Sequence, residues 1–144
     1  MNRKNLYGMV VALITAMAST GTAGDLTVTV SNFKNTGGMA RIWLWNKADG
    51  FPTNEKKAVE TKVVLIGGSS VTVAFQGLAP GTYAVTAMHD EDGDGKMGKN
   101  LLGIPVEGYA VSSKVPHSMG VPKFEKSSFL VDQANRRMEI KMRY

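Results

Sequence analysis

The chain has 144 residues, no cysteine and a formal net charge of +5. Its length predicts one domain with a modest core, and because it has no cysteines, packing or a bound ion must stabilise the fold without disulfides. The charge is weak and no basic stretch is interleaved with aromatic residues, which argues against nucleic-acid binding.

The N-terminal residues have the features of an export signal. Two basic residues precede an apolar run over 6–18, and small residues follow it. We predict a signal peptide over 1–23 with cleavage after Ala23, or alternatively after Ala18. The apolar run is shorter than the about 20 residues of a comfortable membrane span. The sequence therefore predicts a periplasmic or secreted protein, with a single domain over 24–144 and no transmembrane segment after cleavage.

Alternation of apolar and polar residues dominates the rest of the chain, and such alternation is typical of half-buried strands. Strands are predicted at 25–32, 39–46, 61–68, 70–75, 81–90, 127–133 and 138–144. Gly, Pro, Asn and Ser separate them, and the only helical signal is one turn near 54–58. The pattern predicts an all-β fold, an Ig-like or prealbumin-like antiparallel β-sandwich of about seven strands with one long loop excursion over 91–126.

The alternation also assigns side chains to faces. One face of successive strands carries Leu26, Val28 and Val30; Ile42 and Leu44; Val71, Val73 and Phe75; Tyr83, Val85 and Ala87; and Met138, Ile140 and Met142. Trp43 and Trp45 share the opposite face of their strand with Arg41. They form either an exposed binding platform or a second core under the excursion. The apolar stretches "LLGIP" and "VPKF" of the excursion favour the covered arrangement.

An acidic segment follows the strand over 81–90, with carboxylates at alternate positions and glycines between them. Calcium binds six to eight oxygens at about 2.3–2.6 Å, and a loop around such an ion directs alternate side chains inward. The predicted ligands are the side chains of Asp90, Asp92 and Asp94, the backbone carbonyl of Lys96, and the side chain of Asn100 or Glu107. A helix-flanked calcium loop is not indicated, because Leu101 stands where its bidentate glutamate belongs. The alternatives are a more weakly bound magnesium ion and a plain solvated turn.

Other functions have weaker support in the sequence. His89, His117, Met88, Met97 and Met119 are ligand types that suit copper(I), and a periplasmic copper-binding protein is the alternative hypothesis. His89 shares the face of Tyr83, which favours a packed histidine with a structural role. No nucleophile motif of the hydrolases and no phosphate-binding glycine loop is present, so we expect a non-catalytic module with an unidentified protein or cell-envelope partner.

The acidic segment also carries a family resemblance. "HDEDGDGK" over 89–96, followed by Asn100, Gly103-Ile104-Pro105, Glu107-Gly108-Tyr109 and Ser112, closely resembles a family of small exported bacterial proteins, domain of unknown function 2141 (DUF2141). The stretches "LAPGTYAV", "GVPKF" and "MEIKMRY" have counterparts there, and the resemblance extends from Asp25 to Tyr144. It implies a β-sandwich outside the cytoplasm and no established activity. The chain departs from the pattern at Gly98, where an acidic residue is frequent in the family.

Overall fold

The computed structural model describes residues 23–113 and 120–144. Its strands are β1 (Gly24–Ser31), β2 (Met39–Trp45), β3 (Glu60–Leu65), β4 (Ser70–Leu78), β5 (Gly81–Asp90), β6 (Tyr109–Val111), β7 (Phe129–Val131) and β8 (Arg136–Lys141). A short 3-10 helix spans Glu55–Lys57, at the predicted helical turn, and the α-helix α1 spans Phe124–Ser127. The predicted signal peptide, apart from Ala23, lies outside the described residues.

The strands form two sheets, which confirms the prediction of an all-β sandwich. The three-stranded sheet has the order β4-β1-β8, and the larger sheet has the order β3-β2-β5-β6, with β7 paired to the beginning of β5. In the part of the chain that is described, no helix has the length and hydrophobicity needed to cross a membrane.

The predicted apolar faces build the core between the sheets. Leu26, Val28 and Val30 alternate with half-exposed polar residues along β1 and are fully buried. They pack in one cluster with the inward side chains of the larger sheet, including Ile42 and Val85. Full burial of such a side chain contributes about 1.5–3 kcal/mol. Period-two alternation was therefore a sufficient signal for this core.

Three features of the topology differ from the sequence prediction. β8 runs parallel to β1, whereas the other strand pairs are antiparallel. The chain reaches β8 from β7, which belongs to the other sheet, so β8 arrives by a crossover and not by a hairpin. β6 has three residues and α1 has four, too few for a periodic pattern to predict either.

A second apolar cluster covers the other face of the larger sheet. Trp43 and Trp45 are buried there with Met88, and the Trp45 indole N–H donates to Thr86 Oγ1 at 2.9 Å. The residues that cover this face are Phe51, Ala58, Met97 and Phe124. The covered arrangement is confirmed, but of the excursion residues that the structure describes only Met97 and Phe124 contribute to it. The expectation that "LLGIP" helps to cover the face is wrong, because its large side chains are exposed.

Candidate metal site

The site begins at the last residue of β5. Asp90 pairs with Met39 of β2, so it is still part of the sheet at the end of a central strand. Its side chain is fully buried. Arg41 lies two residues further along β2, opposite Met88, and its Nε donates diagonally to Asp90 Oδ2 at 2.5 Å. The Gly95 amide donates to the same oxygen at 3.1 Å. These contacts fold the acidic loop, residues 90–97, back over the end of the strand.

The Arg41 contact determines the charge state of Asp90. Burial alone raises the pKa of this carboxyl, but the hydrogen bond and positive charge of Arg41, with the Gly95 amide, outweigh it and hold the pKa below its ordinary value. The Gly93 amide also lowers this pKa, although it makes no well-aligned hydrogen bond to Oδ1. Asp90 is therefore ionised at neutral pH.

One oxygen of this buried carboxylate lacks a partner. Asp90 Oδ2 accepts the two hydrogen bonds above, whereas Oδ1 is buried and has no hydrogen-bond partner within residues 23–113 and 120–144. A buried, unsatisfied acceptor costs about 1–3 kcal/mol, and more when it is charged. Oδ1 thus marks a position where a ligand would stabilise the protein.

Glu107 brings a second buried carboxylate to the same place. Its Oε1 accepts the Glu91 amide at 2.9 Å, and its Oε2 accepts the Gly98 amide at 2.8 Å. The adjacent Gly108 carbonyl accepts the His89 amide at 2.8 Å, which ties the incoming strand to β5. These main-chain contacts fix the Glu107 side chain next to Asp90, although the two residues are 17 positions apart.

Asp92 completes a group of three carboxylates. Asp90, Asp92 and Glu107 each offer one oxygen, and these oxygens all lie within 4.8 Å of one another. Two oxygens that each lie about 2.4 Å from one calcium ion are at most about 4.8 Å apart, so the spacing suits a shared ion. Arg41 is the cation paired with this group, and one guanidinium for three carboxylates leaves two negative charges. A divalent cation would neutralise them.

Comparison with known proteins gives the family. The family described as "Uncharacterized protein conserved in bacteria (DUF2141)" matches residues 28–139. The chain belongs to this family. No curated protein and no solved structure matches it significantly. The match spans both sheets and the whole acidic loop, as the resemblance of the "HDEDGDGK" segment implies.

The other predicted ligands of this DUF2141 chain have different contacts. Asp94 Oδ1 accepts the Lys96 amide at 2.7 Å, and Asp94 is outside the three-carboxylate group. Lys96 therefore takes part in a turn through its amide, and the role of its carbonyl stays a prediction. Asn100 Oδ1 accepts the amides of Leu102 and Ile104 at 2.9 and 3.0 Å, which commits it to the next turn. Asn100 and Glu107 were the two alternatives for the last calcium ligand, and the structure brings Glu107 to the three-carboxylate group.

The acidic loop rests on a rigid support that contains His89. This histidine is fully buried, with Nε2 at 2.7 Å from the Gly37 carbonyl and Nδ1 at 2.7 Å from the Tyr144 hydroxyl. A carbonyl only accepts, so Nε2 donates to Gly37, and Nδ1 shares a hydrogen bond with the Tyr144 hydroxyl. The Lys34 amide donates to the same hydroxyl at 3.0 Å. The structural role predicted for His89 agrees with these contacts.

The copper ligands predicted from the sequence are not brought together among the described residues. Both ring nitrogens of His89 are engaged, and Met88 points to the opposite face, into the tryptophan cluster with Met97. His117 and Met119 lie outside the described residues.

Sequence reasoning missed three residues that contact the acidic loop or its support. Arg41 was assigned only to the tryptophan face, and its pairing with Asp90 follows from the β2–β5 register, which the sequence does not give. Tyr144 was read only as part of a terminal strand. Lys34 was also missed. Its ammonium group pairs with Glu91 at 2.6 Å and, together with the side-chain carboxamide of Asn35, lowers the pKa of Glu91. Each of these contacts joins segments that are far apart in the chain.

Proposed function

We propose that this protein is an exported, non-catalytic β-sandwich binding module whose acidic loop is held by a calcium ion at Asp90, Asp92 and Glu107. The observation that carries the proposal is Asp90 Oδ1, a buried charged oxygen without a partner beside two further carboxylates. Oxygen ligands of this kind favour calcium, whose flexible coordination tolerates the exposed Asp92 and water molecules in the remaining positions. Magnesium would demand a stricter octahedral arrangement and retain more water.

The non-catalytic part of the proposal is supported by the histidine. His89 is buried, and both of its nitrogens are hydrogen-bonded to structural partners, so it is not placed to exchange protons with a substrate. Export is supported by the N-terminal sequence, in which two basic residues precede an apolar run and small residues follow it. Mass spectrometry of the chain recovered from outside the cytoplasm tests it. A first residue at Gly24 or Ser19 supports export, and an intact Met1 contradicts it.

Thermal unfolding tests the calcium site. Ligand binding to the native state raises stability by about 2.7 kcal/mol at about 100 times the Kd. For a domain of this size we expect calcium to raise Tm by roughly 10 °C over chelator. Magnesium should give a smaller rise, and copper(I) none. A copper-specific rise that disappears in His117→Ala would favour the copper-binding alternative.

A matched pair of variants locates the ion. Asp92 Oδ1 and Asp132 Oδ1 are both exposed and accept the amide two residues later, at 3.1 and 2.9 Å. Asp92→Asn and Asp132→Asn therefore remove the same charge and keep the same turn. We expect Asp92→Asn to lose most of the calcium-induced rise in Tm and Asp132→Asn to keep it. An unchanged rise in Asp92→Asn would show that the ion, if bound, is elsewhere.

A further inference from the structure

The residues between the acidic loop and Glu107 form a small hairpin, residues 98–106. Gly98 and Val106 are joined by a hydrogen bond of 2.9 Å, and Lys99 bridges to Pro105. The tip carries large apolar side chains in solvent: Leu101 and Leu102 have relative exposures of 106% and 83%, and Ile104 has 55%. Exposed apolar side chains clustered in this way mark an interaction surface.

Most backbone amides of the tip are hydrogen-bonded within the hairpin. The Asn100 carboxamide oxygen accepts the amides of Leu102 and Ile104, the Asn100 carbonyl accepts the Gly103 amide, and the Asn100 amide donates to the Ile104 carbonyl. Pro105 has no amide hydrogen. An irregular backbone can enter an apolar medium only when its polar groups are bonded within the protein. The tip meets this condition at most of its amides.

The charged residues around the hairpin bear on whether its tip contacts a membrane surface. Lys96 and Lys99 flank the tip and are exposed, so their stems can lie along an apolar surface while the ammonium groups remain in water. Residues 90–107 carry the carboxylates Asp90, Glu91, Asp92, Asp94 and Glu107 and the cations Lys96 and Lys99, and Arg41 and Lys34 pair with Asp90 and Glu91. Five against four leaves one negative charge, and a bound calcium ion changes it to one positive charge.

We propose that the tip of the hairpin inserts into the surface of an anionic phospholipid bilayer, and that calcium at the neighbouring site promotes the insertion. The promotion by calcium rests on the proposed function; the lipid contact of the tip does not. Calcium would act in two ways. It would fix Glu107, which holds the base of the hairpin by accepting the Gly98 amide. Its charge would also make the net local charge positive and therefore complementary to anionic headgroups.

A protein partner fits the tip less well. A standard interface uses about 20–30 residues on each side, far more than the few apolar side chains here. A second copy docked tip to tip would also bring its Lys96 and Lys99 against the same lysines, and like charges repel. A fluid bilayer accepts a small apolar protrusion without a complementary shape.

Vesicle co-sedimentation tests the proposal. The chain from residue 23 is used, because it contains both sheets and both apolar clusters, and it omits the apolar run over 6–18, which would bind lipid by itself. Vesicles contain phosphatidylcholine alone or mixed with phosphatidylglycerol, in calcium or in chelator. We expect binding to the mixed vesicles in calcium, and severalfold weaker binding in chelator or with phosphatidylcholine alone. Absence of binding to mixed vesicles in calcium, or equal binding to both kinds, overturns the proposal.

A matched pair of leucine substitutions identifies the contact. Leu130 on β7 is 61% exposed and pairs with Thr82 at the far end of β5 from the acidic loop. We expect Leu101→Ser to weaken vesicle binding about tenfold and Leu130→Ser to leave it within about twofold, since only the first removes a side chain that enters lipid. Equal effects overturn the proposal. So does self-association in solution that disappears in Leu101→Ser, which would identify a second copy as the occupant.

Calcium-dependent melting of the same samples separates the two proposals. A rise in Tm without vesicle binding would overturn the lipid contact and support the ion site. Vesicle binding that requires Leu101, together with a Tm that does not respond to calcium, would overturn the ion site and the calcium promotion but support the lipid contact.

Discussion

The acidic loop and the hairpin are adjacent in the chain and have opposite properties. In the acidic loop the deciding group is polar and buried: Asp90 Oδ1 has no partner in the described chain. In the hairpin the deciding groups are apolar and exposed, and the backbone beneath them is well bonded. The comparison indicates that each region lacks something the isolated chain does not supply. In the two proposals above, a cation fills the loop and a bilayer surface covers the tip.

Substitutions in the two regions should affect the free energy of unfolding differently. Asp90 is buried at the end of β5 and forms an ion pair with Arg41, so its substitution should destabilise the protein. Leu101 is already in water in the folded state, so its substitution should not. Variants of the two regions should therefore separate stability from binding.

The largest expected effect is that of Asp90→Asn. Removing one partner of a buried ion pair typically costs about 3–5 kcal/mol, and since Arg41 is partly exposed we expect about 3 kcal/mol, measured by urea unfolding in chelator. Asp49→Asn is the control, because Asp49 pairs with Lys57 at 2.7 Å entirely on the surface. We expect little change there. Equal losses in the two variants would contradict the role assigned to burial.

Acid should remove the same stabilisation. The folded pKa of Asp90 is below the unfolded value of about 3.9, so the folded state binds this proton less readily. The stabilisation is fully present above about pH 4 and is lost as pH falls through the lower folded pKa. The difference in unfolding free energy between wild type and Asp90→Asn should therefore shrink over that range. A difference that stays constant would show that the lost stability arises from packing and not from charge.

Local patterns predicted the strands well because the alternation of apolar and polar residues is a property of each strand by itself. Local sequence patterns found every strand of the described chain except β6, and alternation identified the inward faces of β1, β4 and β5, since each of these patterns lies within one strand. The parallel pairing of β8 with β1 could not be read in this way. It depends on which sheet edge remains open after the other strands have paired.

The site was predicted only in part for the same reason. Asp90, Asp92 and Glu107 were named from carboxylate spacing, and the structure brings these three together. Arg41 and Tyr144 were missed because their contacts cross between strands far apart in sequence. The apolar "LLGIP" was assigned to the interior by the usual rule that hydrophobic segments are buried. That rule fails where a surface has a partner outside the chain.

The smallest expected effect is that of Gly98→Asp, which tests whether the ion site has room for another carboxylate. A Cβ at Gly98 would lie 3.4 Å from Glu107 Oε2 and 3.1 Å from Val106 Cγ2, close enough for an added carboxylate to join the group after a small shift. Gly98→Asp should cost about 1 kcal/mol in chelator, roughly the repulsion between two carboxylates about 4 Å apart near water. In calcium the extra charge should tighten binding severalfold, so the calcium-induced rise in Tm should exceed that of wild type.

The control for this variant is Gly67→Asp, because a Cβ at Gly67 meets nothing within 4 Å. It adds the same charge to the turn between β3 and β4, two strands away from β5 and outside the three-carboxylate group, and should leave the calcium response nearly unchanged. Isothermal titration of both variants with calcium measures the difference directly. If Gly98→Asp weakens calcium binding instead, the carboxylate group is already closed around the ion. Added volume at the base of the hairpin then matters more than added charge.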